Sequence, residues 1–272
     1  MVATVHDVAQ LALESHAAGG RLTKVAVRIY LQSQRCAAGL MLFNSGFTEH
    51  EFRRYVGSPC GDTEVTPLGV APAWFDAAPR LSTASVERPY FVCVGSIRPH
   101  KNLRNLLAAF ALVLDQTPHD LIIVGRKDGF RTREGDLAQL LAPLGARVRF
   151  LGAVDESALL QLVAGAQALV FPSMYEGFGL PALEAMAAGC PVIAADNSAL
   201  PEVCGAAARY FDPHSVEGLA AAMLECARMS PERRAAQVQN GRQRARLYTW
   251  DRTAELTVQA LRRYARRIWE HG

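Results

Sequence analysis

FPSMYEGFGLPALEAMAAGCPVIA, residues 171–194, is the stretch that decides how this chain folds. An apolar run ends at Phe171, a loop delivers Glu176, and Gly177-Phe178-Gly179 lets the backbone turn sharply and approach a ligand closely. Pro181 suits the first turn of a helix, where its missing N–H costs nothing. The free N–H groups of such a helix start form an anion site fitted to a phosphate. A second apolar run, Val192–Ala195, follows the helix. Strand, glycine turn, helix and strand together are the unit of a parallel sheet covered by helices. Glu184 lies eight positions after Glu176, in the first turns of the same helix. One carboxylate in the loop and one in the helix can each accept paired hydrogen bonds from vicinal hydroxyls. Taken alone, that pair also describes a tight turn with two surface glutamates. The glycines and the small-residue stretch Ala185–Gly189 favour the ligand site.

Working outward, the same alternation continues in both directions. Apolar runs recur at Tyr90–Val94, Leu121–Val124, Val148–Leu151, Ala168–Phe171, Val192–Ala195 and Ala208–Phe211. Helical-period segments lie between them, near 103–115, 135–143, 156–166, 180–188 and 216–228. The pattern predicts a complete Rossmann-like α/β domain over residues 89–248, with ligands at the carboxyl ends of its strands. Residues 1–70 offer only three candidate strands, Ala3–Val5, Leu40–Phe43 and Thr63–Pro67, with helices at Arg21–Arg35 and Thr48–Tyr55. They read as a partial N-terminal domain with too little partner surface for its apolar faces. Residues 71–88 hold Pro72 and Pro79, are flanked by Pro67 and Pro89, and read as a linker. A final helix, Thr249–Trp269, lies in the segment 249–272, beyond the second domain.

The other strand ends carry further candidates. VGSIRPHKNL, residues 94–103, places Gly95, Ser96, Arg98 and Lys101 on the rim that holds Glu176. Fixed cations there would stabilise charge building on a departing phosphate; the plainer alternative is a helix-capping loop with solvated charges. After Val148–Leu151, Asp155 and Glu156 read as an N-cap and a first-turn acid. Arg126 and Lys127 add two loop cations that are adequately explained as solvated. His6, in VHD at 5–7, is either a satisfied residue at a strand end or a group facing the cleft.

Composition narrows the class. Half of the 272 residues are apolar, a fifth are charged and the formal net charge is +3, as in a globular domain without the concentrated basic patch of a nucleic-acid binder. The six cysteines form no Cys-x-x-Cys pair, which argues against a disulfide framework or a zinc site. No long apolar span or secretory leader pattern is present, so the expected setting is cytoplasmic. Arginines at 262, 263, 266 and 267 leave open a peripheral membrane contact. No Gly-x-Gly-x-x-Gly follows the first strand of the large domain, which excludes an ordinary dinucleotide oxidoreductase.

Glu176, the Gly177–Gly179 turn, Pro181 and Glu184 resemble the Glu-x7-Glu motif of glycosyltransferase family 4, retaining enzymes of GT-B fold. The likeness runs from His6-Asp7 to Trp250 and is greatest toward the mannosyltransferases of bacterial lipopolysaccharide O-antigen synthesis. It implies that Glu176 contacts the donor-sugar hydroxyls and Glu184 the ribose hydroxyls, while the Gly177-Phe178-Gly179-Leu180 turn cradles the diphosphate, chiefly through the amides of Phe178 and Gly179. Lys101 matches the family lysine that meets the leaving diphosphate, with Arg98 assisting and Gly95 and Ser96 lining that loop. Ser96 stands where the family often has arginine. The strand end at Leu151–Val154 would hold the nucleobase, with backbone contacts near Leu151 and Val154, and His6 would face the donor across the cleft. The same likeness implies a nucleotide-sugar donor, GDP-mannose favoured, a glycan or lipid-linked glycan acceptor, and neither metal nor cofactor. It further implies that the first strands of the N-terminal domain lie outside this sequence, in an upstream segment or a partner chain. A catalytically silent binding module is the competing expectation.

Overall fold

A computed structural model describes residues 1–13, 20–77, 88–126 and 139–271. In chain order its strands are β1 (Val2–Val5), β2 (Leu40–Phe43), β3 (Asp62–Val65), β4 (Tyr90–Val94), β5 (Asp120–Val124), β6 (Val148–Gly152), β7 (Ala168–Phe171), β8 (Val192–Ala195) and β9 (Ala208–Phe211). The helices are α1 (Ala9–Ala12), α2 (Gly20–Ala37), α3 (Gly46–Tyr55), α4 (Pro72–Phe75), α5 (Leu103–Val113), α6 (Glu156–Ala164), α7 (Leu180–Ala187), α8 (Leu200–Cys204), α9 (Val216–Ala227), α10 (Pro231–Ala245) and α11 (Trp250–His271). The helix expected near 135–143 falls partly outside the described residues, and its described end passes into a 3-10 turn at Ala142–Arg147.

The strands form two parallel sheets. The larger runs β6-β5-β4-β7-β8-β9, the doubly wound order in which the chain reverses direction between its first and fourth strands, β4 and β7. Its central strands β5, β7 and β8 are buried at every position, which is why their sequences read as unbroken apolar runs rather than alternating ones.

The smaller sheet runs β1-β2-β3. Met41 and Phe43 of β2 pack with Val5 and Phe52 under α3, while Leu40 and Leu42 on the opposite face meet Ala260 and Tyr264 of α11. The final helix therefore supplies cover that residues 1–70 lack. Arg263 and Arg267 of α11 pair with Glu64 and Asp62 at β3, so two of the four clustered arginines engage the small sheet. Partners are fewer at α2, where Leu22, Val25, Ile29 and Tyr30 are exposed, and along β1, which among the described residues pairs with β2 alone.

The segment read as a linker begins with a packed element. Trp74 of α4 is buried in the core of the large sheet. Val70 forms a parallel bridge with Thr249, so the two stretches of chain that pass between the sheets lie side by side. A Cβ on Gly69 would come within 2.1 Å of the Trp250 nitrogen, which leaves room there only for glycine. All six cysteines are free; Cys36 and Cys60, distant in sequence, are exposed with their sulfurs 3.8 Å apart. Among the described residues no helix is long and apolar enough to cross a membrane.

Candidate functional site

The rim at the carboxyl ends of β4 and β7 is the switch point of the large sheet, where the diverging helices leave a crevice. After β4 the chain makes a 3-10 turn, Pro99–Lys101, and Asn102 takes a left-handed conformation, φ 55°. The Asn102 side-chain amide donates to the Pro213 carbonyl at 2.9 Å and fixes the turn. After β7 the chain carries Glu176. The Met174 amide donates to the His100 carbonyl at 2.7 Å, so the two loops are joined through their backbones. The Glu176 amide donates to Ser198 Oγ at 3.1 Å, which ties the same loop to the segment after β8.

Within this frame Lys101 Nζ lies 2.5 Å from Glu176 Oε1, and both side chains are largely withdrawn from solvent, 19% and 14% exposed. Lys101 Nζ also sits over the Phe171 ring, 5.3 Å from its centre. A charge pair held this dry acts more strongly on a ligand than one on an open surface. Gly95, at φ 146°, lies beneath Lys101, and a Cβ built on it would come 3.5 Å from Lys101 Cε. Gly125 presses on the same loop so closely that its Cβ would meet the Gly95 carbonyl at 1.8 Å.

The start of α7 has the form expected of an anion site. Gly179 is its N-cap in a left-handed conformation, φ 102°, and Pro181 follows in the first turn. The Phe178 ring is buried and meets Tyr248 edge to face at 5.8 Å. The backbone of Phe178, rather than its ring, is therefore what the turn offers to a ligand. Glu184, in α7, is partly buried; that burial, with the charge of Glu156 adding to it, pushes its carboxyl up to about 7. Leu151 and Val154 pack their side chains against the core. Gly152 between them has φ 70°, and nothing described lies within 4 Å of where its Cβ would stand, so the backbone at this strand end borders open space.

Of the remaining candidates, Ser96 is partly buried in the β4 loop, Leu180 opens α7, and Arg98 and Arg126 are exposed. Lys127 lies outside the described residues. Asp155 caps α6, accepting from the Ala158 amide at 2.8 Å, the structural role its position suggests. His6 has an exposed ring, but its backbone reaches the Gly177–Gly179 turn: a Cβ on Gly177 would stand 2.1 Å from the His6 carbonyl oxygen.

Four residues with no functional place in the sequence reading meet at this contact. Ser45 Oγ and Thr48 Oγ1 donate to the Gly177 carbonyl at 2.6 and 2.9 Å. Glu202 accepts from the Gly46 and Phe47 amides at 2.8 and 2.9 Å. Tyr175 inserts into the core of the small sheet against Phe47. All are contacts between segments far apart in the chain, and no local pattern announces them.

Two parallel sheets with a phosphate-fitted helix start and a cation–carboxylate pair at the switch point define a GT-B glycosyltransferase architecture. Residues 77–244 match the family described as glycosyl transferases group 1, and the chain belongs to that family. It is 32% identical over 235 residues to the O-antigen chain mannosyltransferase B of Escherichia coli, covering 82% of this chain and 60% of that protein. It is 31% identical to the phosphatidyl-myo-inositol mannosyltransferase of Mycolicibacterium smegmatis, over 70% of this chain and 49% of the relative. Among solved structures, sucrose-phosphate synthase from Thermosynechococcus elongatus superposes with a TM-score of 0.77 at 28% identity, over 96% of this chain and 67% of the other. The chain thus spans between about half and two thirds of the length of these proteins.

Proposed function

We propose that this chain is the donor-binding portion of a retaining glycosyltransferase. It moves a hexose, mannose from GDP-mannose favoured, from a nucleotide diphosphate to a glycan or lipid-linked glycan. The observation that carries the proposal is the Lys101–Glu176 pair, 2.5 Å apart beside the start of α7. A donor with its diphosphate toward Lys101 and the Phe178 and Gly179 amides, and its sugar hydroxyls toward Glu176, meets each group with its chemical complement. Arg98 adds positive charge at the mouth, Glu184 receives the ribose hydroxyls, and the backbone at Leu151–Val154 borders the base. His6 closes the sugar side.

In the step itself the anomeric carbon–phosphate oxygen bond breaks, and the acceptor oxygen bonds to that carbon on the same face. The acceptor hydroxyl proton passes to the departing phosphate oxygen, which serves as the base. Lys101, Arg98 and helix N–H groups neutralise the diphosphate without a metal. The mannosyltransferase names of the relatives support the sugar. A peripheral membrane position would bring a lipid-linked acceptor to the cleft.

Thermal unfolding with a panel of nucleotides tests the proposal. GDP or UDP should stabilise the chain in the presence of chelator, by about 2.7 kcal/mol at 100 times the dissociation constant. Stabilisation that requires magnesium or manganese would overturn the metal-free reading. A second reading, a silent nucleotide-sugar-binding module, is favoured by the pairing of β1 with β2 alone among the described residues. It is separated from the first by the presence or absence of sugar transfer once the donor is bound.

A further inference from the structure

We propose that Ser45, Thr48 and Glu202 form a latch between the two sheets that holds the Gly177–Gly179 turn in its ligand-binding shape. This makes them positioning residues for Glu176, and the inference rests on the donor-site reading above. The start of α3 shows why. A helix begins with backbone N–H groups that have no partner within the helix. Here the Thr48 amide donates to Ser45 Oγ at 3.0 Å, while the Gly46 and Phe47 amides donate to the two carboxylate oxygens of Glu202, a residue of the large unit. The helix start is thus satisfied in part by a charge-assisted contact from the other side of the cleft.

Ser45 and Thr48 are completely buried, and buried hydroxyls need partners. Both spend their protons on one acceptor, the Gly177 carbonyl. The His6 carbonyl also packs against Gly177, 3.4 Å from the Thr48 hydroxyl, and the Asn44 side-chain amide donates to it at 2.8 Å. The Gly177–Phe178 peptide is therefore held at its carbonyl by two hydroxyls of the small unit, with the His6 carbonyl packed against the Gly177 Cα. Rotating it would turn the Phe178 amide away from the rim and carry Glu176 from Lys101. Glu202 works one step further out, by holding the start of α3 where both hydroxyls reach Gly177.

The test uses the full chain and two readouts, hydrogen exchange over residues 172–180 and the affinities for GDP and guanosine. In Ser45→Ala/Thr48→Val, which keeps the side-chain shapes, exchange over 172–180 should accelerate while the strands of the large sheet stay protected. GDP affinity should fall about five- to tenfold, the scale of lost buried hydrogen bonds, with guanosine affinity unchanged. Thr48→Ser should behave as the native chain. Glu202→Ala, at an exposed position tolerant of change, should reproduce the effect in weaker form. Unaltered exchange and GDP affinity would overturn the latch. Uniform acceleration across the chain would also overturn it, by showing that these residues act through global stability. If the native chain binds neither GDP nor UDP, the donor reading fails, and exchange over 172–180 alone still decides the latch.

Discussion

Lys101 and Glu184 carry opposite lessons about charge. Lys101 is a cation held in place by a carboxylate, and its removal should be felt by the diphosphate alone. Lys101→Ala should weaken GDP or UDP binding about tenfold or more, as for a lost charge-assisted hydrogen bond, and leave nucleoside binding unchanged; calorimetric titration reads both. Glu184 is a carboxyl driven toward neutrality. Its pKa in the fold is about 7 against an ordinary 4.5, so between those values the folded chain keeps a proton that the unfolded chain has lost. Stability therefore falls as pH rises through that window. Glu184→Gln should raise the unfolding temperature at pH 8, and the gain should vanish by pH 4. For a chain of this size, 1 kcal/mol corresponds to about 2–4 °C. A gain that persists in acid would assign the effect to packing. The juxtaposition of Lys101 and Glu176 was legible in sequence because each sits in a local motif after a strand end. Tyr175, Ser45, Thr48 and Glu202 were not, because their partners lie on the other sheet.

At the level of elements, legibility followed burial. Strands such as β5 and β8 announce themselves because both faces are apolar. Helix α10 went unseen for the converse reason: PERRAAQVQNGRQRA buries only small residues, chiefly Gly241 and Ala245, against α7. A helix that fully buries only glycine and alanine, and otherwise docks through arginines such as Arg234 and Arg244 donating to the Gln167 and Val203 carbonyls, has no apolar periodicity to read. A Cβ on Gly241 would already lie 3.3 Å from Met186 Cγ. Gly241→Val should force that contact apart and cost about 1–3 kcal/mol, as overpacking does, measured by chemical denaturation. Because the Gly177–Gly179 turn leads into α7, nucleotide affinity should fall with stability if the proposed donor site is right.

For the whole molecule, burial predicts chemical reactivity. Under native conditions iodoacetamide should modify Cys36 and Cys60 and spare the four buried cysteines, whereas denatured chain should react at all six; intact mass reads the difference. Rapid native labelling of Cys93 or Cys190 would contradict the packing described here.

The bridge between Val70 and Thr249 sets how such a cleft can open. A single strand between two bodies is a swivel, free to twist as well as bend. Two segments joined by a backbone bridge, with Gly69 pressed on Trp250, form a strap that should resist torsion more than a single strand does. Were the two units to part, such a strap would guide them back along one arc and return Ser45 to Gly177 in register.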